Sequence, residues 1–188
     1  MMESKDPLVW IDCEMTGLDP ESDTIMSIAC FVTDCHLNLV DEDGFEVIIH
    51  HSKEALDRMG EWCTKHHGES GLTQACLDSK TTPQEAAEGL LQYIQKHVPT
   101  RRTALLAGNS VHADQTFLVK PPYKAVTDYL HYRILDVSSL KEAARRWAPA
   151  DVLKNMPKKK MLHEARADIL ESIEEARFYR ETFFIGSS

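Results

Sequence analysis

Apolar positions form short continuous runs early in the chain and helix-spaced stripes after them. Runs rich in β-branched and aromatic residues predict strands, which we place near residues 8–13, 25–33, 45–50, 104–107 and 133–137. Polar residues from Asp34 to Asn38 predict a hairpin turn after the second strand. The early part of the chain is therefore expected to form a strand meander.

A helix is predicted to begin at Thr82 and Pro83. Thr82 is followed three residues later by Glu85, the spacing of a capping box, and proline suits the first helical turn. Apolar residues then recur at helical spacing before Pro99, and they are Ala86, Leu90, Leu91, Ile94 and Val98. We expect this stripe to pack on the sheet.

Further helices are predicted in the second half of the chain. The fifth strand ends at Asp136 and leads into a helix capped by Ser138 or Ser139. The last helix is predicted to begin near Met161 or His163, and the residues expected on its inner side are Ile169, Ile173, Ala176, Phe178 and Tyr179.

The order of these elements predicts an α/β fold. A strand meander followed by strands that alternate with helices favours a mixed five-stranded sheet flanked by helices. We find no internal repeat and no interdomain linker in the sequence. Residues 1–188 are therefore expected to form a single domain.

Charge and composition exclude several classes of function. The formal net charge is −9, with 30 acidic and 21 basic residues, which argues against a protein that grips long DNA or RNA duplexes. No apolar run approaches transmembrane length, so no membrane partner is expected. The five cysteines include no C-x-x-C pair, and no transit peptide is visible, so we expect a cytoplasmic or mitochondrial protein.

Two carboxylates end the first predicted strand. Asp12 and Glu14 are two residues apart, so they project from the same face of the strand. Like charges held this close repel each other, and a divalent cation such as Mg²⁺ or Mn²⁺ relieves the repulsion because it prefers hard oxygen ligands. The alternative is that Glu14 already lies in a solvated loop.

Later stretches supply further candidates for the same site. Asp114 lies in the first turn of a predicted helix after the fourth strand, and His163 precedes Asp168 by five residues. Each also has an ordinary structural explanation: Asp114 as a charge that favours a helix N-terminus, His163 as a cap and Asp168 as part of a solvated helix face.

Taken in order, Asp12-x-Glu14, Asp114 and His163-x4-Asp168 resemble the three exonuclease motifs of the histidine-bearing (DEDDh) branch of the DEDD superfamily. The segments LVWIDCEMTGLDP, EWCTKHHGESGL, LAGNSVHAD, HYRILDVSSLKE and FYRETFF extend the resemblance to the oligoribonuclease family over nearly the whole chain. One departure is Ser27, at a position where that family commonly has glutamate.

The resemblance implies an RNase H-like exonuclease fold, a homodimer and hydrolysis of very short RNA from its 3′ end to mononucleotides. It also implies two divalent ions, Mg²⁺ or Mn²⁺. Asp12 would bridge the ions, Glu14 and Asp168 would complete the shell of the first, and Asp114 would support the second. His163 would be the general base, because a neutral imidazole is available near neutral pH.

The resemblance also implies residues that hold the RNA. Leu18 and Trp62 would sandwich bases, although both could instead be core residues, and His67 would lie near the terminal ribose. The phosphate at the 5′ end would be held by Ser110, Arg133 and Ser138. Residues contributed by the partner subunit would be His131 and Tyr132. A solvated loop is the preferred interpretation of the basic run Lys158-Lys159-Lys160.

Three other functions stay open from the sequence. The stretch Asp12-Cys-Glu14-Met-Thr16 superficially resembles the nucleophile loop of haloacid-dehalogenase phosphatases, which form an aspartyl phosphate. A DEDDh exonuclease that acts on DNA or longer RNA is the nearer alternative. A non-catalytic RNA-binding protein on the same fold is the third, although all five motif residues are present.

Overall fold

The strand that ends in the two carboxylates lies in the middle of the sheet. The computed structural model describes residues 6–157 and 165–184, and within them five strands pair in the order β3-β2-β1-β4-β5. These strands are β1 (Leu8–Met15), β2 (Ile25–Thr33), β3 (Phe45–Ile48), β4 (Leu105–Gly108) and β5 (Ile134–Asp136). The pairs β1–β2 and β2–β3 are antiparallel, whereas β1–β4 and β4–β5 are parallel. The predicted mixed sheet is confirmed.

Helices cover the sheet and the loops at its edges. Their bounds are α1 (Lys53–Leu56), α2 (Glu61–Glu69), α3 (Leu72–Asp78), α4 (Pro83–His97), α5 (His112–Leu118), α6 (Lys124–Tyr129), α7 (Val137–Trp147), α8 (Ala150–Lys154) and α9 (Ala165–Tyr179). A π-helical turn at Arg180–Phe184 follows α9. Among the described residues, none of the helices combines the length and apolar character needed to cross a bilayer.

The side-chain alternation of β1 separates two hydrophobic cores. Val9, Ile11 and Cys13 join the core beneath α4, α5 and α6, whereas Trp10 joins the core beneath α7 and α9. Because side chains of a strand repeat every two residues, Asp12 and Glu14 project on the Trp10 side. The carboxylates therefore face the helix that carries Asp168.

The predicted helix at Thr82 is confirmed in detail. The Thr82 side chain accepts a hydrogen bond from the backbone N–H of Glu85, and the Glu85 side chain accepts one from the backbone N–H of Thr82. This reciprocal capping box fixes the start of α4. Its stripe is buried at Leu90 and Ile94, which contact the sheet as expected.

The predicted cap of the helix after β5 is wrong. Asp136, not Ser138 or Ser139, is the N-cap of α7, and its carboxylate accepts the backbone N–H of Ser138 at 2.9 Å. The negative charge of aspartate at this position also interacts favourably with the positive end of the helix dipole. The two serines consequently lie inside the first turn, which leaves the hydroxyl of Ser138 available for other contacts.

The remaining predictions concern the turn after β2 and the last helix. Asp34 accepts backbone N–H groups of His36 and Asn38 at 2.8 and 2.9 Å, which confirms the turn after β2. The predicted start of the last helix, at Met161 or His163, lies outside the described residues. The predicted inner side of α9 is confirmed, because its buried apolar residues include Ile169, Ile173, Ala176 and Tyr179.

Candidate active site

Three carboxylates meet where β1 faces α9. One oxygen from each of Asp12, Glu14 and Asp168 lies within 4.8 Å of the other two, and all three side chains are half-buried. β1 supplies the first two residues, and Asp168 comes from the first described turn of α9, which packs across β1 and β2. An all-oxygen set of this kind suits Mg²⁺ or Mn²⁺ better than a soft metal.

The electrostatics of this cluster show the repulsion expected from the sequence. Burial, together with the charges of Asp168 and Asp114, raises the pKa of Glu14 from an ordinary 4.5 to about 7. Since these neighbours disfavour the ionised form, a divalent cation would restore it. The cluster therefore fits a divalent metal by donor type, by spacing and by charge.

Asp114 reaches the same strand from the opposite core. It lies in the first turn of α5, is buried, and its Oδ1 accepts the backbone N–H of Cys13 at 2.9 Å. Burial raises the pKa of Asp114 to about 6, and the hydrogen bond from Cys13 works against this shift. Asp114 is therefore tied to the backbone between Asp12 and Glu14, next to the three-carboxylate cluster rather than within it.

The predicted general base, His163, lies outside the described residues, as does the basic run Lys158-Lys159-Lys160. The described part of α9 begins two residues after His163, at Ala165, and carries Asp168 in its first turn.

A groove of about 820 Å³ opens beside the carboxylates. It is lined by Cys13, Glu14, Met15, Thr16, Gly17, Leu18, Asp23, Arg58, Gly60, Glu61, Trp62, Cys63 and His67. Leu18 is 82% exposed and Trp62 is 64% exposed, so the alternative that they are core residues is wrong. The Trp62 ring stacks on the ring of His66, with 4.6 Å between centroids. An aromatic face and an aliphatic side chain thus line the same groove.

His67 lines this groove but is itself buried. Its Nε2 lies 2.9 Å from the carbonyl oxygen of Met15, and its Nδ1 lies 4.0 Å from Oε2 of Glu14. Burial lowers the pKa of His67, which favours a neutral ring that donates Nε2–H to the carbonyl. One ring nitrogen therefore anchors the end of β1, and only Nδ1 remains for a contact on the Glu14 side.

Asp23 organises the loop that carries Leu18, and the sequence analysis missed it. The Asp23 carboxylate accepts the hydroxyl of Thr16 and the backbone N–H of Asp19, both at 3.0 Å. A Cβ atom on Gly17 would lie 2.3 Å from Oδ2 of Asp23, so this close approach requires glycine. No local sequence pattern indicates this role, since the partners of Asp23 depend on the folded loop.

Lys120, in the segment just after α5, binds the same loop. Its Nζ donates to the carbonyl oxygen of Pro20 at 2.8 Å and forms an ion pair with Glu21. Lys120 lies two residues beyond the end of α5, the helix of Asp114. The Leu18 loop is therefore connected to an element that also contacts the carboxylate site.

A second polar cluster lies at the ends of β4 and β5. The hydroxyls of Ser110 and Ser138 are 3.1 Å apart, and Oδ1 of Asp136 accepts the backbone N–H groups of both serines at 2.9 Å. Ser110 has a φ of 53°, a left-handed conformation that is unusual for serine. His112 adds a contact of 3.0 Å from Nδ1 to Oδ2 of Asp136. Two predicted site residues are thus brought together by a third residue, Asp136.

The remaining predicted residues lie just before β5. The Tyr132 ring is 68% exposed and stacks on His131, with 4.5 Å between centroids. The Arg133 guanidinium lies over the Tyr132 ring, 4.8 Å from its centroid, and the backbone N–H of Arg133 donates to Nδ1 of His131. These three residues form an exposed cluster of their own rather than a part of the groove beside Trp62.

Comparison with known proteins gives consistent matches along the chain. The profile of the RNase T exonuclease family matches residues 9–176. The mitochondrial oligoribonuclease of Saccharomyces cerevisiae is 47% identical over 183 residues, which are 94% of this chain and 67% of that protein. The oligoribonuclease of Mycobacterium avium is 48% identical over 182 residues, which are 97% of this chain and 83% of that protein.

Solved structures agree on the fold. The complex of Escherichia coli exonuclease I with single-stranded DNA superposes with a TM-score of 0.58 at 17% identity over 94% of this chain, which spans 41% of that longer protein. The haloacid-dehalogenase alternative is wrong, because the exonuclease family matches residues 9–176, a range that contains Asp12, Glu14 and Asp168. The chain belongs to the exonuclease family and, within it, to the oligoribonucleases, so it is a nuclease.

Proposed function

We propose that this protein hydrolyses very short RNA, dinucleotides above all, from the 3′ end to mononucleotides, as one exonuclease domain over residues 1–188. The observation that carries the proposal is the cluster of Asp12, Glu14 and Asp168 at one end of a groove that exposes Leu18 and Trp62. A phosphodiester bound to the cluster would place its bases beside these two side chains.

Asp12, Glu14 and Asp168 would hold two divalent ions, Mg²⁺ or Mn²⁺, with Asp114 supporting the second. Bound there, the ions supply Lewis-acid stabilisation of the charge that develops on the phosphodiester oxygens. The protein's own contribution is to keep the carboxylates in place: the Asp114 hydrogen bond to Cys13 fixes the backbone between Asp12 and Glu14.

Proton transfer is assigned to His163. It precedes Asp168 by five residues, so it is close in sequence to the metal ligand on α9. A neutral imidazole accepts the proton of the attacking water at working pH. His67, which lines the described groove, is instead given a binding role, with Nε2 on the Met15 carbonyl and Nδ1 4.0 Å from Oε2 of Glu14.

Base stacking gives binding without sequence preference. Leu18 and Trp62 would enclose the base at the 3′ end, and stacking on an aromatic ring contributes about 1–3 kcal/mol per base. His67, through Nδ1, would face the terminal ribose. Trp62→Ala should therefore raise KM more than it lowers kcat, whereas Trp62→Phe should keep most of the affinity.

The 5′ phosphate would be held by Ser110, Arg133 and Ser138. The two hydroxyls are adjacent, and an arginine fork matches a phosphate group well. In this arrangement few phosphates are engaged, which suits a protein with a formal net charge of −9. The protein would select short RNA because it binds both ends of the molecule, and it needs no long basic surface for this.

Two copies would complete each site, with His131 and Tyr132 reaching the partner's groove. Support comes from exposed apolar side chains, since Trp147 is 80% and Phe184 is 70% exposed beside a groove of about 330 Å³. Apolar surface of this kind marks protein interfaces. Trp147→Lys should yield smaller particles on size-exclusion chromatography and lower activity.

We propose a cytoplasmic or mitochondrial location, in keeping with the yeast relative named as mitochondrial. Localisation of a fluorescent fusion of the gene product in its own cells tests this point.

The deciding experiment is hydrolysis of end-labelled RNAs of two to about twenty nucleotides with Mg²⁺, Mn²⁺ or EDTA. We expect the dinucleotide to be consumed fastest and EDTA to stop the reaction. Equal rates on all lengths, or on DNA, would favour the general DEDDh exonuclease. Binding without any turnover would favour the non-catalytic protein.

A further inference from the structure

Asn109 lies between the carboxylate cluster and the Ser110–Ser138 cluster. It follows β4 directly, and its side chain is bonded at both ends. Nδ2 donates to Oγ of Ser172 at 2.7 Å and to Oε2 of Glu175 at 3.2 Å, while Oδ1 accepts the hydroxyl of Ser138 at 3.1 Å. Ser172 and Glu175 belong to α9, and Ser138 belongs to α7, so one amide joins two helices.

Glu175 fixes the direction of this amide. The Glu175 side chain is 2% exposed, and its Oε1 accepts the hydroxyl of Tyr179 at 2.9 Å and lies 3.5 Å from Nζ of Lys141. Because the carboxylate accepts hydrogen bonds, the NH₂ group of Asn109 must face it. The Asn109 oxygen is thereby turned to Ser138.

The orientation of the Asn109 amide in turn determines where the Ser138 hydroxyl directs its proton. Its hydroxyl donates to Asn109, so its lone pairs face Ser110, 3.1 Å away. The backbone N–H groups of both serines are already bonded to Asp136. Ser110 therefore donates its own hydroxyl proton in the bond to Ser138, and an incoming anion would accept this proton in place of the Ser138 oxygen.

The same bonds continue to the carboxylate cluster. The Ser172 hydroxyl donates to the backbone carbonyl of Asp168 at 2.8 Å, one turn earlier in α9. A continuous path of hydrogen bonds therefore runs from Asp168 through Ser172 and Asn109 to Ser138 and Ser110. It joins the proposed metal end of the site to the proposed phosphate end.

We infer that Asn109 is a positioning residue that fixes the spacing between Asp168 and the Ser110–Ser138 pair, and so matches the site to a 5′-phosphorylated dinucleotide. This inference rests on the proposed function, because it needs a metal end and a phosphate end. Asn109 itself need not touch the RNA. Its effect passes through α9 on one side and through the Ser138 hydroxyl on the other.

The test compares Asn109→Ala with three other variants. Ser172→Ala cuts the path on the Asp168 side only, and Glu175→Gln keeps an acceptor for Asn109 and is the conservative variant. Ile94→Val is the control, since Ile94 is buried in the other core and belongs to neither cluster. Two quantities are measured for each: Mn²⁺ affinity of the RNA-free protein by calorimetry, and the ratio of kcat/KM for phosphorylated over unphosphorylated dinucleotide.

We expect Asn109→Ala to weaken Mn²⁺ binding and to lower the phosphate preference, each by at least about fivefold, the effect of one lost hydrogen bond. Ser172→Ala should weaken Mn²⁺ binding and keep most of the preference, and Glu175→Gln should resemble the unsubstituted protein. Equal behaviour of Asn109→Ala and Ile94→Val in both measurements overturns the inference.

Failure of the proposed function has a different signature. If the unsubstituted protein shows no preference for the phosphorylated dinucleotide, the phosphate end is wrong. Mn²⁺ affinity then still decides whether Asn109 positions Asp168, because that measurement uses no RNA. If Asn109→Ala does not fold, Ser172→Ala decides instead. An unchanged Mn²⁺ affinity of Ser172→Ala also overturns the inference.

Discussion

The carboxylate cluster and the Ser110–Ser138 cluster lie on neighbouring strands but are stabilised in opposite ways. At the carboxylates, like charges are held together and the pKa of Glu14 rises to about 7. At the serines, one aspartate accepts both backbone N–H groups and the hydroxyls bond to each other and to Asn109. The repulsion in the first cluster is relieved only when a proton or a cation binds, whereas the second is assembled before any ligand arrives.

The largest effect on the carboxylate cluster is expected from Asp12→Asn. The substitution removes one charge from the cluster, so metal binding and turnover should be lost to the assay background while the fold persists. Circular dichroism and thermal unfolding check the fold, and hydrolysis of a labelled dinucleotide at saturating Mg²⁺ checks the activity. Near-normal turnover would reject the metal assignment of Asp12.

His163→Ala separates proton transfer from metal binding at the same end. Loss of a general base should lower the single-turnover rate by about 10²–10⁴-fold and leave Mn²⁺ affinity unchanged. Rapid-quench kinetics and calorimetry make the two measurements. A variant that lost metal affinity instead would place His163 among the ligands.

Arg133→Ala tests the preassembled end. A charge-assisted hydrogen bond to the 5′ phosphate is worth about 1.5–3 kcal/mol, so the preference for a phosphorylated dinucleotide should fall by about tenfold or more. Hydrolysis of the unphosphorylated dinucleotide should change little, which provides the internal control. Loss of activity on both substrates would mean that Arg133 serves the fold or the dimer instead.

The pH dependence of stability distinguishes the two ends without RNA. Burial raises the pKa of Glu14 to about 7, so the folded protein binds this proton more tightly than the unfolded chain does. The stabilisation is therefore present at low pH and is lost as pH rises through about 7. Asp114, with a pKa of about 6, acts in the same direction.

In EDTA, Tm should accordingly fall by about 3 °C or more between pH 5 and pH 7.5, and Glu14→Gln should reduce this fall. Differential scanning calorimetry gives the values. Added Mn²⁺ should reverse the trend, because it binds the ionised carboxylates. An equal fall in Glu14→Gln would assign the pH dependence to other groups.

The smallest effect is expected from His112→Ala. His112 is exposed and contacts Asp136 at 3.0 Å, and exposed ion pairs contribute about 0–1 kcal/mol. Asp136 keeps its two backbone donors without it, so the phosphate preference should change by less than about fivefold. A larger loss would show that the serine cluster is less firmly assembled than its hydrogen bonds indicate.

Local patterns were sufficient to predict much of the fold. The apolar run of β1 and its alternation placed Asp12 and Glu14 on one face, and the Thr82–Glu85 capping box predicted the start of α4. The mixed sheet and the family are confirmed. These features depend on neighbours in sequence or on motifs, which a single sequence displays directly.

Features that depend on distant partners were missed. The contact between Asn109 and Glu175 joins residues far apart in the chain, and no spacing rule links an asparagine after a strand to a glutamate on the last helix. The short helices α1, α2 and α3 also escaped prediction, since each is too brief to show a helical period clearly. The cap of α7 was misplaced because Asp136 and the serines are all good caps.

The position of α9 also affects how the protein is made. A ribosome delivers β1, which carries Asp12 and Glu14 on one face, and its antiparallel partner β2 long before it delivers α9. Asp168 arrives only with α9, which must then pack across strands synthesised long before. A nascent chain is therefore expected to lack a complete carboxylate cluster, and with it nuclease activity, until α9 has emerged.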